Sequence, residues 1–206
     1  MGEVTPGDSF SWGKRGTGVF GGLGGGPRSG RGGGRPVKIE IRDHRPPVST
    51  ETLAAAEARL AELGHPIPPS YRAFLADQDG GEPVRDYFSF RQGAIDQEDL
   101  VRLFYGIAES PNGDLVEETE GRGNRVLAGM LSIAEDGNGN ALVLDGRGGR
   151  DGPVYFWDHE FEGEPPDESN LWWLAPDLET FLADLIEYPE PPPVVEPKGW
   201  RRLFGG

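Results

Sequence analysis

The 206-residue sequence predicts an α+β domain, with a mixed or antiparallel sheet, flanking helices at both ends, and disordered tails. Two observations carry that prediction. Leu53, Ala56, Leu60 and Leu63 near the start, and Leu178, Phe181, Leu182, Leu185 and Ile186 near the end, recur at helical spacing. Between them, Leu131–Trp157 reads as a three-stranded meander: Leu131 and Ile133, Leu142 and Leu144, and the aromatic run Val154–Trp157 are separated by glycine-rich turns. Gly137-Asn138-Gly139-Asn140 tolerates positive φ, so a tight reversal is natural there.

The remaining elements follow in chain order. Residues 1–36 hold FGGLGGGPRSGRGGGRP, whose glycines lose more backbone entropy on folding than its few apolar side chains return, so a disordered tail is expected. No strand precedes these glycines and no Lys-Ser or Lys-Thr follows them, which argues against a phosphate loop. Val37, Ile39 and Ile41 suggest a short strand opening a domain over 37–188. Ser49 is placed to cap the first helix, with Val48 and Leu53 at staple spacing, and Gly64 and Pro66 end it. Pro68-Pro69 starts a second helix whose buried side is Tyr71, Phe74 and Leu75, and Asp79-Gly80-Gly81 stops it. Tyr87–Phe90 and Val101–Ile107 read as strands, whereas periodicity does not decide between helix and loop for Asp114–Glu120. Leu171–Leu174 is a last strand, and Asp177 caps the final helix. Residues 189–206 form a proline-rich tail with a basic-aromatic end, KGWRRLF.

The order of these blocks resembles that of the SUKH superfamily, the Smi/Knr family. The blocks are AEARLAELGHPIPPSYRAFLADQDGGEP across the first two helices, LFYGI at 103–107, the meander, GPVYFWDHE at 152–160, and LETFLADLI in the last helix. The resemblance covers about residues 48–188. It implies an α+β domain without catalytic residues to carry over. Bacterial members are mostly immunity proteins that bind and block a cognate toxin, often a nuclease, and fungal members regulate cell-wall synthesis and signalling. Tyr71, Phe74, Gly80, Gly81, Gly139, Tyr155, Trp157 and Phe181 match the family pattern, each with a packing or turn role.

Charge bounds the partners. The net −15 divides into a +3 segment over residues 1–36 and −18 over the rest. An acidic body disfavours nucleic acid and anionic membrane, both polyanions, and suits a basic protein. With no cysteine there is neither a thiolate nucleophile nor a cysteine metal site. No signal-peptide core or membrane-length apolar run is present, so the cytoplasm is the expected compartment.

Four features invite sharper readings. Asp158-His159-Glu160 has acid–base residue types, but neighbours on a continuing strand point to opposite faces, so a polar strand end is expected rather than a catalytic centre. Asp136-Gly137-Asn138-Gly139-Asn140 resembles the opening of a calcium loop, yet Ala141 and Arg147 stand where Gly and Glu are required, so a turn without metal is expected. Asp158, Glu160, Glu162, Glu164, Asp167 and Glu168 form an acidic run that reads either as a solvated loop or as a surface mimicking phosphate charge. Trp172 and Trp173 are adjacent, so on a strand one faces the core and the other is a candidate anchor. The expectation is a binding protein with no cofactor or metal, an immunity protein against a basic toxin domain. The alternatives are a regulatory or scaffold protein using its tails as peptide ligands and, more distantly, a hydrolase.

Overall fold

A computed structural model describes residues 39–42, 45–107 and 113–188. Both tails, and Val37 of the expected first strand, lie outside the described residues. Instead of a strand, Ile41 makes a single antiparallel bridge to Pro83, and Ile39 and Ile41 are buried.

Helix α1 spans Thr50–Glu62, and the Ser49 side chain accepts from the Thr52 N–H. Its buried stripe is Leu53, Ala56 and Leu60. Helix α2, Pro69–Gln78, buries Tyr71, Phe74 and Leu75 and ends at Asp79, which takes the left-handed conformation (φ 43°). Gly80 follows at φ 72°, and a Cβ there would stand 2.5 Å from the carbonyl oxygen of Phe104. Close backbone approach as well as dihedral freedom therefore requires glycine at this position.

Strands β1 (Tyr87–Gln92) and β2 (Ile95–Leu100) form an antiparallel hairpin. The expected strand over 101–107 is reduced to β3, Leu103–Phe104, because Phe104 bridges Gly81 on one side while Gly106 leaves to bridge Asp114. Asp114 accepts from the N–H groups of Val116 and Glu117, capping α3 (Leu115–Arg122) and settling that segment as helix. The meander forms as β4 (Met130–Glu135), β5 (Ala141–Asp145) and β6 (Val154–Trp157), followed by β7 (Leu171–Ala175) and α4 (Leu178–Asp184). The helical spacing runs on to Ile186, but α4 stops earlier, since Ile186 pairs its backbone with Tyr87.

The larger sheet has the order β3-β4-β5-β6-β7 with every pair antiparallel. Its inner face contributes Leu131, Ile133, Leu142, Leu144, Val154 and Phe156 to the main core, alongside buried residues of α1, α2 and α4. Phe74 links α2 to the sheet, stacking on Tyr71 at 5.3 Å and tilting against Phe104 at 5.4 Å. Phe181 of α4 meets Phe88 edge-on at 5.8 Å. The outer face carries a second cluster of Met130, Ala141, Val143 and Trp157 beneath Val126, with Leu127, Tyr155 and Leu171 packed against it. Burial of Trp157 is nearly complete (1 % exposed), and truncating it to alanine would cost about 3–5 kcal/mol.

Candidate functional site: the acidic loop and the outer sheet face

The connection between β6 and β7 is closed by its own backbone. Trp157 pairs with Leu171, the Asp158 N–H donates to the Asn170 carbonyl at 3.0 Å, and the Asn170 side chain returns a bond to the Asp158 carbonyl, also 3.0 Å. Asn170 is buried at this neck. Beyond it the loop carries the six predicted carboxylates, which do four different things.

Asp158 and Asp167 serve turns. Asp158 caps a 3₁₀ turn over His159–Phe161, and Asp167 accepts from the Ser169 N–H. Hydrogen bonding from Ser169 holds the Asp167 carboxyl below its ordinary pKa. Glu162 is held by Arg125 through two bonds of 2.8 and 2.9 Å. Glu168 pairs with Arg147 at 2.9 Å. Glu160 and Glu164 are exposed and, among the described residues, have no ion-pair partner. Proximity in sequence thus overstates the free negative charge of the run, because two of its members are locally offset.

The 3₁₀ turn also changes the reason for setting His159 aside. The strand ends at Trp157, so alternation of faces does not apply. Instead the His159 ring lies against Gly139, and its Nδ1 and backbone N–H both meet Asn140 Oδ1, at 2.7 and 3.1 Å. Since an amide oxygen only accepts, Nδ1 carries the proton. Gly139, at φ 103°, provides the flat surface the ring needs.

The calcium-like segment is an Asp-centred turn. Asp136, buried, accepts from the N–H groups of Asn138 and Asn140 and from the Asn140 side chain. Its lone pairs are occupied by the loop's own donors. Among the described residues, no group of three or more His, Asp or Glu is arranged to hold a metal ion.

The tryptophans separate as alternation requires. Trp172, opposite Phe156, packs on the main core, and Trp173, opposite Tyr155, stands 55 % exposed on the outer face. Beside them, burial and the fields of Asp145 and Glu168 raise the pKa of Tyr155. Phe161, inside the acidic loop, is also 55 % exposed.

Several contributors are missed by sequence reasoning. Arg122 and Arg125 place their guanidinium carbons 5.4 and 5.2 Å from the Trp157 ring centroid, linking the α3 end to the loop. Their spacing after an undecided segment gave no signal. Asp99 of β2 arrives at the same end of the sheet. Its pKa is raised by burial first and by the carboxylates of Asp136 and Asp158, against a bond from the Leu100 N–H. The exposed Phe161 was legible as an aromatic within an acidic run and could have been singled out.

Comparison with family models matches residues 47–184 to the SMI1 / KNR4 family (SUKH-1). This chain belongs to that family. No match is found among curated proteins. For this SUKH-1 chain, the meander, the closing helix and the acidic loop all lie inside the matched span. Among the described residues, no helix is long and apolar enough to cross a membrane.

Proposed function

We propose that this SUKH-1 domain is a cytoplasmic, non-enzymatic immunity protein, which neutralises a cognate nuclease-type toxin by covering a basic surface around its active site. One observation carries the reading. The family scaffold presents two carboxylates without an ion-pair partner among the described residues, Glu160 and Glu164, on the same loop as exposed Phe161 and next to the strand of exposed Trp173. Carboxylates that hold no internal partner are available to guanidinium and ammonium groups that would otherwise bind phosphate. Exposed aromatic rings supply the apolar area that slows dissociation.

The histidine environment supports the non-enzymatic part. Both hydrogen bonds recorded for His159 are spent on Asn140, in a role that positions the loop. The regulatory reading rests on the tails, which lie outside the described residues.

The deciding experiment is co-expression with the C-terminal domain of a large secreted protein encoded beside this gene. Growth should be rescued by the wild type and lost with Trp173→Ala combined with Glu160→Gln and Glu164→Gln. Rescue that survives the triple variant, or no rescue by the wild type, would defeat the proposal.

A further inference from the structure

The outer face also holds a cleft that neither the acidic run nor Trp173 accounts for. It is an open cleft of about 320 Å³ between the C-terminal end of α1, the segment following α3, and the acidic loop, lined by Leu63, His65, Asn124, Val126, Leu127, Ala128 and Pro166. That volume is at the low end for ligand sites, about 300–1,000 Å³, and suits a single side chain rather than a cofactor. The backbone fixes its walls, since the Gly129 N–H donates to the Gly64 carbonyl at 2.8 Å.

The lining side chains are apolar except for exposed Asn124 and buried His65. His65 is 5 % exposed, and its Nδ1 meets the Met130 carbonyl oxygen at 2.6 Å. A carbonyl only accepts, so Nδ1 is the donor, and among the described residues Nε2 has no hydrogen-bond partner. An occupant that covers this nitrogen among mostly apolar side chains is favoured if it brings one N–H or O–H on an otherwise apolar body. The charges around the cleft select the surface that carries such an occupant. Glu62, Glu120, Glu162, Glu164 and Asp167 stand near the lining residues or pair with their neighbours, against Arg59, Arg122 and Arg125. The balance is acidic.

We infer that this cleft is the socket for one aromatic side chain with a donor group, a tyrosine or tryptophan, projecting from the basic surface of the protein partner. The inference rests on the immunity reading and deepens it. Pro166 joins the socket to the acidic loop, so the same surface that approaches Glu160 and Glu164 delivers the ring.

The test uses p-cresol, the tyrosine side-chain analogue, and toluene, which lacks the hydroxyl, titrated into the full chain while amide NMR spectra are recorded. With p-cresol, the amides of His65, Val126, Leu127 and Ala128 should shift and saturate, with a dissociation constant on the order of a few millimolar. Toluene should bind about tenfold more weakly. Ala128→Phe, a change at an exposed lining position, should abolish the saturation and leave distant amides unmoved. Asn124→Trp fills the cleft from another exposed position and serves if the first variant is unstable. Absence of saturation, equal binding of toluene, or unchanged binding in a folded cleft-filled variant would overturn the socket. This readout needs no toxin, so its failure leaves the growth experiment to judge the immunity reading separately.

Discussion

Arg125 grips Glu162 with two parallel hydrogen bonds of 2.8 and 2.9 Å while its guanidinium lies over Trp157. One cation therefore joins the buried outer-face cluster to the acidic loop and offsets one of the loop's charges. Glu162 and Glu160, two residues apart, should consequently behave differently on mutation.

Neutralising Glu160 and Glu164 together should slow association with the proposed basic partner about tenfold in dilute buffer, with the difference shrinking as salt shortens the Debye length below about 8 Å. Glu162→Gln should instead loosen the loop by freeing Arg125, lowering the melting temperature more than either exposed change. Stopped-flow association at two salt concentrations, with thermal melts alongside, checks both. Equal effects at all three positions would contradict the partition of charge described here.

Trp173→Ala should leave stability within about 0.5 kcal/mol, since the ring is largely in solvent. Its effect should fall on complex lifetime, with dissociation accelerated by about thirtyfold or more if the indole is a central anchor. Surface plasmon resonance separates the two rate constants. An unchanged dissociation rate would remove Trp173 from the interface.

The Tyr71 hydroxyl donates to the carbonyl oxygens of Tyr105 and Ile133, at 2.6 and 2.8 Å, in a fully buried position. Burial raises its pKa well above the ordinary value, so it remains a neutral donor. Tyr71→Phe should cost about 1–3 kcal/mol by leaving those carbonyls without it. The melting temperature should fall by about 2–4 °C per kcal/mol. A variant as stable as the wild type would show that the carbonyls are served by their other partners.

Asp99 gives a prediction in pH. Its folded-state pKa lies above the unfolded one, chiefly through burial, so its charge opposes folding at neutral pH. As pH falls through the folded pKa the native state takes up the proton first, and this opposition is relieved. Asp99→Asn keeps an acceptor for the Leu100 N–H, and it should raise the melting temperature by about 1–2 °C at neutral pH. Below the unfolded pKa, about 3.9, the gain should vanish. A gain of the same size at both extremes would mean that charge is not its cause.

What the sequence revealed depended on whether an element's structure had a local cause. The Ser49 and Asp177 caps, the stop after Gln78 and the glycine-turned meander arise from residues within a few positions, and each is found where its pattern put it. β2 is different. Ile95–Leu100 holds three acidic side chains and little β-propensity, and it is extended because the two-residue turn Gly93-Ala94, with Gly93 at φ 64°, folds it back onto β1. The turn was readable, but the strand's composition concealed it. In the candidate site, alternation on β7 required one outward tryptophan, and only the pairing register says it is Trp173. The ion pairs of Glu162 and Glu168 span 37 and 21 residues, beyond the reach of any spacing rule.

The neck at Asp158 and Asn170 separates inheritance of the fold from choice of partner. Its bonds are made by main chain and one buried amide, so the pairing of β6 with β7 does not consult the identities of Glu160, Phe161 or Glu164. Loop closure entropy grows slowly with length, so residues can be inserted beyond the neck, and those without tertiary bonds exchanged, at small thermodynamic expense. Exposed positions such as Glu160, Phe161 and Glu164 can thus be revised for a new protein partner while the sheet stays as it is. Grafting the segment 159–169 between two members of the family, with both neck residues retained, should transfer recognition more readily than any substitution in the strands.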